Sequence, residues 1–280
     1  MHKASAGVND IKLLVLDIDG TITGHSNTLS VTVKEVIAAV QAKGIKVTIA
    51  TGRMYCSAWR FHREIGSTLP LIAYQGAWIQ DPGNDKIHRH LPVYREITQQ
   101  LLEYFEQPDL RSLLSVHFYI NDQLYVREIT KETDNYQQRC GVTAIPVGDL
   151  RQLLDRETTK ILALSEDANL TQQLLADLRL RYKPTDLYLT TSVPTFLEAA
   201  NTHVNKGHAV RYLAEEMLGL ESHHVMTIGD NFNDVEMLSY AGISVAMGNA
   251  PPQVQAIANW VAPSIELDGA AVAIEKFLLS

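Results

Sequence analysis

The stretch Lys12-Leu13-Leu14-Val15-Leu16-Asp17-Ile18-Asp19-Gly20-Thr21 decides how this chain is read. An unbroken apolar run follows one lysine and stops at two aspartates and a glycine. A short run of this kind predicts a strand buried on both faces, as in a parallel sheet covered by helices. Downstream, Val33, Val36, Ile37 and Val40 recur at helical spacing. Thr32 and Glu35 have the spacing of a capping box, and Gly44 sits where a helix ends. Residues 47–50 predict a second strand that stops at Thr51-Gly52-Arg53, and after a helical stretch residues 71–74 predict a third. Strands alternating with helices point to an α/β fold.

The alternation returns near the end of the chain. Residues 225–228 read as a strand that stops at Gly229-Asp230, followed by a helix over 234–240 and a strand over 243–246. Helices over 251–258 and 269–279 flank a short strand at 261–262. The middle differs. Residues 116–120 and 123–126 read as a hairpin turning at Asn121-Asp122. A strand over 160–164 and helical spacing in 101–105 and 170–180 complete an α+β pattern. The expected architecture is a doubly wound, mostly parallel, Rossmann-like sheet built from residues 1–81 and 190–280. An α+β domain over 82–189 is inserted in it, with hinges near Asp81-Pro82-Gly83-Asn84 and Ser192-Val193-Pro194.

Composition excludes several classes. With 280 residues, 46% hydrophobic and 20% charged, the chain can bury a core without staples, which removes disordered, collagenous and disulfide-scaffold readings. Its 24 basic and 32 acidic residues leave a net charge of −8 and no basic stripe, which argues against a nucleic-acid partner. No apolar run reaches about 18 residues, so no membrane span is expected. The first ten residues are polar and lack the apolar stretch of a signal peptide. Cys56 and Cys140 form no C-x-x-C and are expected as buried, reduced thiols, so a cytoplasmic setting is expected.

The chemistry concentrates at predicted strand ends, where open parallel sheets bind ligands. Asp17 and Asp19 would face each other's charge unless a cation or proton offset it. Gly20 allows a sharp turn. A calcium loop of the EF-hand type needs Gly at its sixth position, whereas Gly20 stands at the fourth. Thr51 offers a hydroxyl at the second strand end, or a helix N-cap. Lys206, in Asn205-Lys206-Gly207, opens a predicted helix; lone lysines are usually solvated. Gly229-Asp230-Asn231-Phe232-Asn233-Asp234 brings two further acids, of which Asp234 could equally serve the helix N-terminus. His88-Arg89-His90 and His223-His224 read as surface residues, and Trp59, Trp78 and Trp260 as packing anchors.

In this order the pieces resemble the four motifs of the haloacid dehalogenase (HAD) superfamily of phosphohydrolases. Asp17-Ile18-Asp19-Gly20-Thr21 looks like motif I, Thr51 in Ala50-Thr51-Gly52-Arg53 like motif II, Lys206 like motif III, and Gly229-Asp230-x-x-Asn233-Asp234 like motif IV. The wording of these motifs resembles the Cof-type sugar-phosphatase subgroup, whose large α/β (type C2B) cap lies between motifs II and III. Where that subgroup commonly has Asn-Gly-Ala, this chain has Gln75-Gly76-Ala77. The resemblance implies a phosphatase of small phosphate monoesters such as sugar phosphates. Asp17 would be the nucleophile that forms an aspartyl-phosphate, and Asp19 the general acid and base. Thr51 and Lys206 would hold the phosphoryl oxygens, with Gly20, Gly52, Arg53 and Asn233 around the substrate. Mg²⁺ would sit on Asp17, the backbone carbonyl of Asp19 and Asp230, with Asp234 supporting the metal or Lys206. Arg53 could instead form a structural ion pair. The same scaffold also serves sugar phosphomutases and phosphotransferases, and could carry a non-catalytic ligand-binding protein. A small phosphorylated metabolite is the expected partner, with the protein a monomer or homodimer.

Overall fold

A computed structural model describes residues 10–191 and 193–280. The polar residues 1–9 and Ser192 of the expected second hinge lie outside the described residues. Along the chain run β1 (Leu13–Leu16), α1 (Val31–Ala42), β2 (Lys46–Ile49), α2 (Tyr55–Glu64), β3 (Leu71–Ala73), β4 (Trp78–Gln80) and β5 (Ile87–His90). Then come α3 (Arg95–Phe105), β6 (Ser115–Ile120), β7 (Gln123–Val126), α4 (Lys131–Cys140), β8 (Ala144–Pro146), β9 (Thr158–Leu164), α5 (Ala168–Arg181), β10 (Tyr188–Thr190) and β11 (Phe196–Ala200). The chain closes with α6 (Lys206–Arg211), β12 (Val225–Gly229), α7 (Val235–Tyr240), β13 (Ile243–Ala246), α8 (Pro252–Gln255), β14 (Trp260–Val261) and α9 (Gly269–Ile274).

Two compact units result, one running up to Arg89 and resuming over Asn205–Ser280, the other His90–Val204. The expected boundaries at 81/82 and 189/190 differ from these. Residues 190–204 belong to the second unit because β11 pairs with β9. Residues 82–89 stay with the first because β5 joins β4 in its three-stranded sheet.

The first unit holds a sheet in the order β14-β13-β12-β1-β2, parallel throughout. Strand order reverses beside β1, the place where such sheets open a crevice at their carboxyl ends. The alternation of β1 explains its unbroken apolar run. Leu14 and Leu16 pack with α1, α2 and α9 on one face, Leu13 and Val15 with α6 and α7 on the other. Helix α1 begins at Ser30, whose side chain accepts from the N–H of Val33, so Ser30 and not the Thr32–Glu35 pair caps it. The third strand departs from the expected parallel run. It meets Ala50 in one bridge at Ile72, then turns back through Tyr74–Gly76 to pair antiparallel with β4.

The second unit folds its sheet in the order β10-β11-β9-β6-β7-β8, antiparallel except where β8 runs alongside β7. The β6–β7 hairpin turns at Asn121 (φ 50°) and Asp122 (φ 57°), residue types that tolerate the left-handed region a tight hairpin requires. Val116, Phe118 and Ile120 bury against α3 and α5. On the opposite face His117 bonds Thr133 of α4 at 2.9 Å. Lys160 and Glu198 there form a buried ion pair at 3.1 Å.

Both cysteines depart from expectation: Cys56 is exposed and Cys140 half-buried. Cys56 lies on the outward side of α2, whose buried residues are Ser57, Ala58, Phe61 and His62. No helix among the described residues is long and apolar enough to cross a membrane.

Candidate active site

The carboxyl ends of β1, β2 and β12 converge. Asp17 follows β1 and is buried. Lys206 begins α6, behind the N-cap Asn205, whose side chain accepts from the N–H of His208. Its side chain has no exposed surface and donates at 2.6 Å to Oδ1 of Asp17 and at 2.6 Å to Oδ1 of Asp234. The other oxygen of Asp234 accepts from the backbone N–H groups of Asp230 (2.8 Å) and Asn231 (3.0 Å). Asp234 stands at the N-cap of α7 without capping it, its carboxylate being committed to Lys206 and to this loop.

Asp230 completes the centre. Asp17, Asp230 and Asp234 each offer an oxygen within 4.8 Å of the others, the one cluster of potential metal ligands among the described residues. Three ionised carboxylates against one ammonium would leave two negative charges in a buried place. Burial accordingly holds the Asp17 carboxyl well above the usual range, against the pull of Lys206 and with Asp234, Asp230 and Asp19 adding to the rise. Burial and Asp234 push Asp230 up to about 7, while Lys206 and the hydroxyl of Thr21 oppose the shift. For Lys206 burial acts to lower the pKa, yet Asp17 and Asp234 together raise it, so the ammonium persists. Hard carboxylate oxygens short of positive charge fit a divalent cation such as Mg²⁺.

The turn after β1 closes against this cluster. Gly20 has φ 83°, and a methyl group there would run into the Asp230 carboxylate. Thr21 donates to Oδ1 of Asp230 at 3.2 Å. Asn249, beyond β13, donates to the carbonyl of Gly20 at 2.9 Å and reaches Oδ2 of Asp230 at 3.5 Å. Neither Thr21 nor Asn249 was singled out from the sequence. The usable signal was a polar residue just past a strand end, as in Met247-Gly248-Asn249-Ala250.

Thr51 and Gly52 follow β2. Thr51 is buried and accepts from the N–H of Arg53 at 3.2 Å. It does not cap α2, whose N-cap is Met54. Arg53 grips Asp19 with a two-toothed contact, Nε to Oδ2 at 2.8 Å and Nη2 to Oδ1 at 2.6 Å. The same Nη2 reaches Oδ1 of Asn27 at 2.7 Å, and the guanidinium lies 4.8 Å from the centre of the Phe61 ring. The Asp19 side chain is therefore held by Arg53 and half-exposed. Asn233 donates to Oε1 of the buried Gln75 at 3.0 Å, a partner that sequence reading left open.

The histidine runs are occupied elsewhere. His88 contacts Asp81 at 2.8 Å, His90 contacts Thr159 at 2.9 Å, and His223 contacts Glu221 at 3.4 Å. Trp78 is buried, and Trp260 packs edge-on to Phe277.

Comparison with known proteins identifies the family of the chain. A family described as haloacid dehalogenase-like hydrolase matches residues 14–274. A Bacillus subtilis (strain 168) protein named 5-amino-6-(5-phospho-D-ribitylamino)uracil phosphatase YitU is 27% identical, over 95% of this chain and 97% of its own. A Methanothermobacter thermautotrophicus protein named phosphoglycolate phosphatase is 26% identical, over 96% of this chain and 99% of its own. In fold, the chain resembles the crystal structure of a haloacid dehalogenase-like hydrolase from Bacteroides thetaiotaomicron, with a TM-score of 0.85, 24% identity, and coverage of 95% of this chain and 99% of that one.

Proposed function

On the premise that the chain belongs to the haloacid dehalogenase-like hydrolases, as its match over residues 14–274 establishes, we propose that it is a Mg²⁺-dependent phosphatase of small phosphate monoesters. The observation that carries this reading is Lys206, wholly buried and shared between Asp17 and Asp234 beside Asp230. A carboxylate held this way is aimed, and the ammonium stands ready for negative charge that grows on a phosphoryl group.

Asp17 and Asp230 would hold Mg²⁺ with the backbone carbonyl of Asp19. Asp234, with both oxygens already committed, supports Lys206 and the loop. The ion supplies positive charge that lets a phosphate dianion enter an acidic site. Asp17 attacks phosphorus as the ester P–O bond breaks, and the leaving oxygen takes a proton from Asp19. Asp19 then accepts a proton from water as that water attacks phosphorus, the bond to Asp17 breaks, and inorganic phosphate is released. For this, Asp19 has to exchange its contact with Arg53 for one with the substrate. Thr51, Gly52 and Asn233 line the side where phosphoryl oxygens would bind. Sugar or polyol phosphates are the substrate class we favour, supported by the phosphoribityl compound in the name of the Bacillus subtilis relative. The unit His90–Val204 carries none of these side chains and is assigned the role of a substrate-selecting cap.

The test is phosphate release from a panel of sugar phosphates, polyol phosphates, phosphoglycolate and nucleotides, with Mg²⁺ and with chelator. Release that needs Mg²⁺ is expected. Asp230→Asn should demand at least about tenfold more Mg²⁺, one anionic ligand having become neutral. Release that survives chelation, or an unchanged Mg²⁺ requirement in Asp230→Asn, would remove the metal assignment.

A further inference from the structure

The turn Tyr74–Gly76 holds three successive residues at positive φ, 51°, 59° and 98°. Two of them are not glycine, a costly arrangement that persists only where surroundings impose it. Gln75 is 3% exposed. Its backbone N–H donates to the carbonyl of Thr51, and that of Tyr74 to the carbonyl of Arg53, both at 2.9 Å. The Gln75 amide spans two loops. Its Oε1 accepts from Asn233 at 3.0 Å, while its Nε2 lies against Gly52, where a methyl group would collide with that nitrogen and approach Cδ to 2.9 Å. At Gly76 a methyl group would lie 2.8 Å from the backbone oxygen of Asn205, which precedes Lys206. One turn thus touches the loop after β2, the start of α6 and the loop after β12.

We propose that Gln75 is a positioning residue, a spacer that fixes the distance between the Thr51–Gly52 loop and Asn233 and so sizes the pocket for the phosphoryl group. The inference rests on the phosphatase reading above for what that pocket holds. Asparagine at this position is one methylene shorter and should draw back from one of the two loops, and a methyl group at Gly52 would have to displace the Gln75 amide.

Binding of inorganic phosphate in the presence of Mg²⁺, measured by calorimetry on the full chain, tests this without requiring turnover. Gln75→Asn should weaken phosphate about three- to tenfold, the worth of one hydrogen bond. It should raise KM by the same factor for every ester and change kcat by less than about twofold, since the phosphoryl group is common to all of them. Gly52→Ala should also weaken phosphate, and the loss should shrink when Gln75→Asn makes room for the methyl group. A Gly52→Ala protein that folds only in combination with Gln75→Asn would be the same rescue. Gln75→Glu keeps length and bulk and can still accept from Asn233, but sets a negative charge against Gly52. Burying that carboxylate should lower the melting temperature, and, measured on the folded protein well below its midpoint, phosphate affinity should fall about tenfold or more. Unchanged phosphate affinity in folded Gln75→Asn and Gln75→Glu, or losses that simply multiply in the double variant, would overturn the spacer role. Rescue in phosphate binding without release from any ester would instead overturn the phosphatase reading and leave the spacer standing. If the parent protein binds no phosphate with Mg²⁺, both fall.

Discussion

Lys206 has no exposed atom, and both of its acceptors are carboxylates at 2.6 Å. Removing its charge strands Asp17 and Asp234 in a dry place. Lys206→Met should therefore lower stability by about 3–5 kcal/mol, the usual cost of breaking a buried ion pair from one side. Denaturant unfolding at pH 7 checks it; a loss under about 1 kcal/mol would mean that water reaches the cluster. Asp17→Asn should behave oppositely. Burial already disfavours its charged form, and an amide oxygen still accepts from the lysine. We expect abolished turnover with a melting temperature, in the absence of divalent cations, at or above that of the parent. Ordinary kcat in this variant would end its assignment as nucleophile. These four residues, Asp17, Lys206, Asp230 and Asp234, were legible in the sequence because each follows or opens a regular element at a spacing the family motifs share. Thr21 and Gln75 stood within quoted motifs but without a partner, and Asn249 was not read at all. Their partners lie across loops that meet only in three dimensions, so residue type and spacing carried no mark of the contact.

Helix α2 carries a titration of its own. His62 is buried in that helix with neither ring nitrogen hydrogen-bonded among the described residues, and burial lowers its pKa to about 4, the nearby Leu69 backbone only partly opposing the shift. The folded protein keeps the ring neutral, whereas the unfolded chain takes up a proton below about pH 6.5. Stability from this group is therefore full above pH 6.5 and is lost as pH falls toward 4. The loss at pH 4 should be about 3 kcal/mol at 1.36 kcal/mol per unit. In His62→Gln, the fall of stability from pH 6.5 to pH 4 should be shallower by that amount, read from urea midpoints across the range. An identical pH slope in the two proteins would mean that the ring is hydrated in the fold. Periodicity made elements with one buried face readable, and the β6–β7 hairpin was readable from Asn121-Asp122. Helix α4 escaped because it buries only Thr133 and Tyr136 in Lys131–Cys140, too few positions to show a period. The third strand was seen but placed in the parallel sheet, since its reversal depends on the Tyr74–Gly76 turn and not on its own apolar residues.

The proposed division of labour between the two units follows their position in the chain. Every side chain proposed for phosphoryl chemistry lies in the first unit, and the second has an apolar core of its own between its sheet and α3 and α5. Replacing His90–Val204 by a short linker should leave turnover of p-nitrophenyl phosphate within about tenfold, since that ester offers little to a selecting domain. The ranking among sugar and polyol phosphates should collapse. A folded truncation that kept the parent's ranking would show that selection resides in the first unit.

The pairing of Leu13 with Val225 across β1 and β12 has a further consequence, for the order in which the molecule is made. On the ribosome β1 and β2 emerge early, but the strand that flanks β1 on its other side emerges only after the whole of His90–Val204. During that interval β1 presents an open, wholly apolar edge of the kind that invites pairing with other chains. The intervening unit has its sheet partners close at hand and can fold while the first waits. Asp17 and Lys206, 189 residues apart, thus come together late in synthesis. A nascent chain stalled before residue 225 would carry a finished second unit beside an unclosed sheet, a natural client for a chaperone.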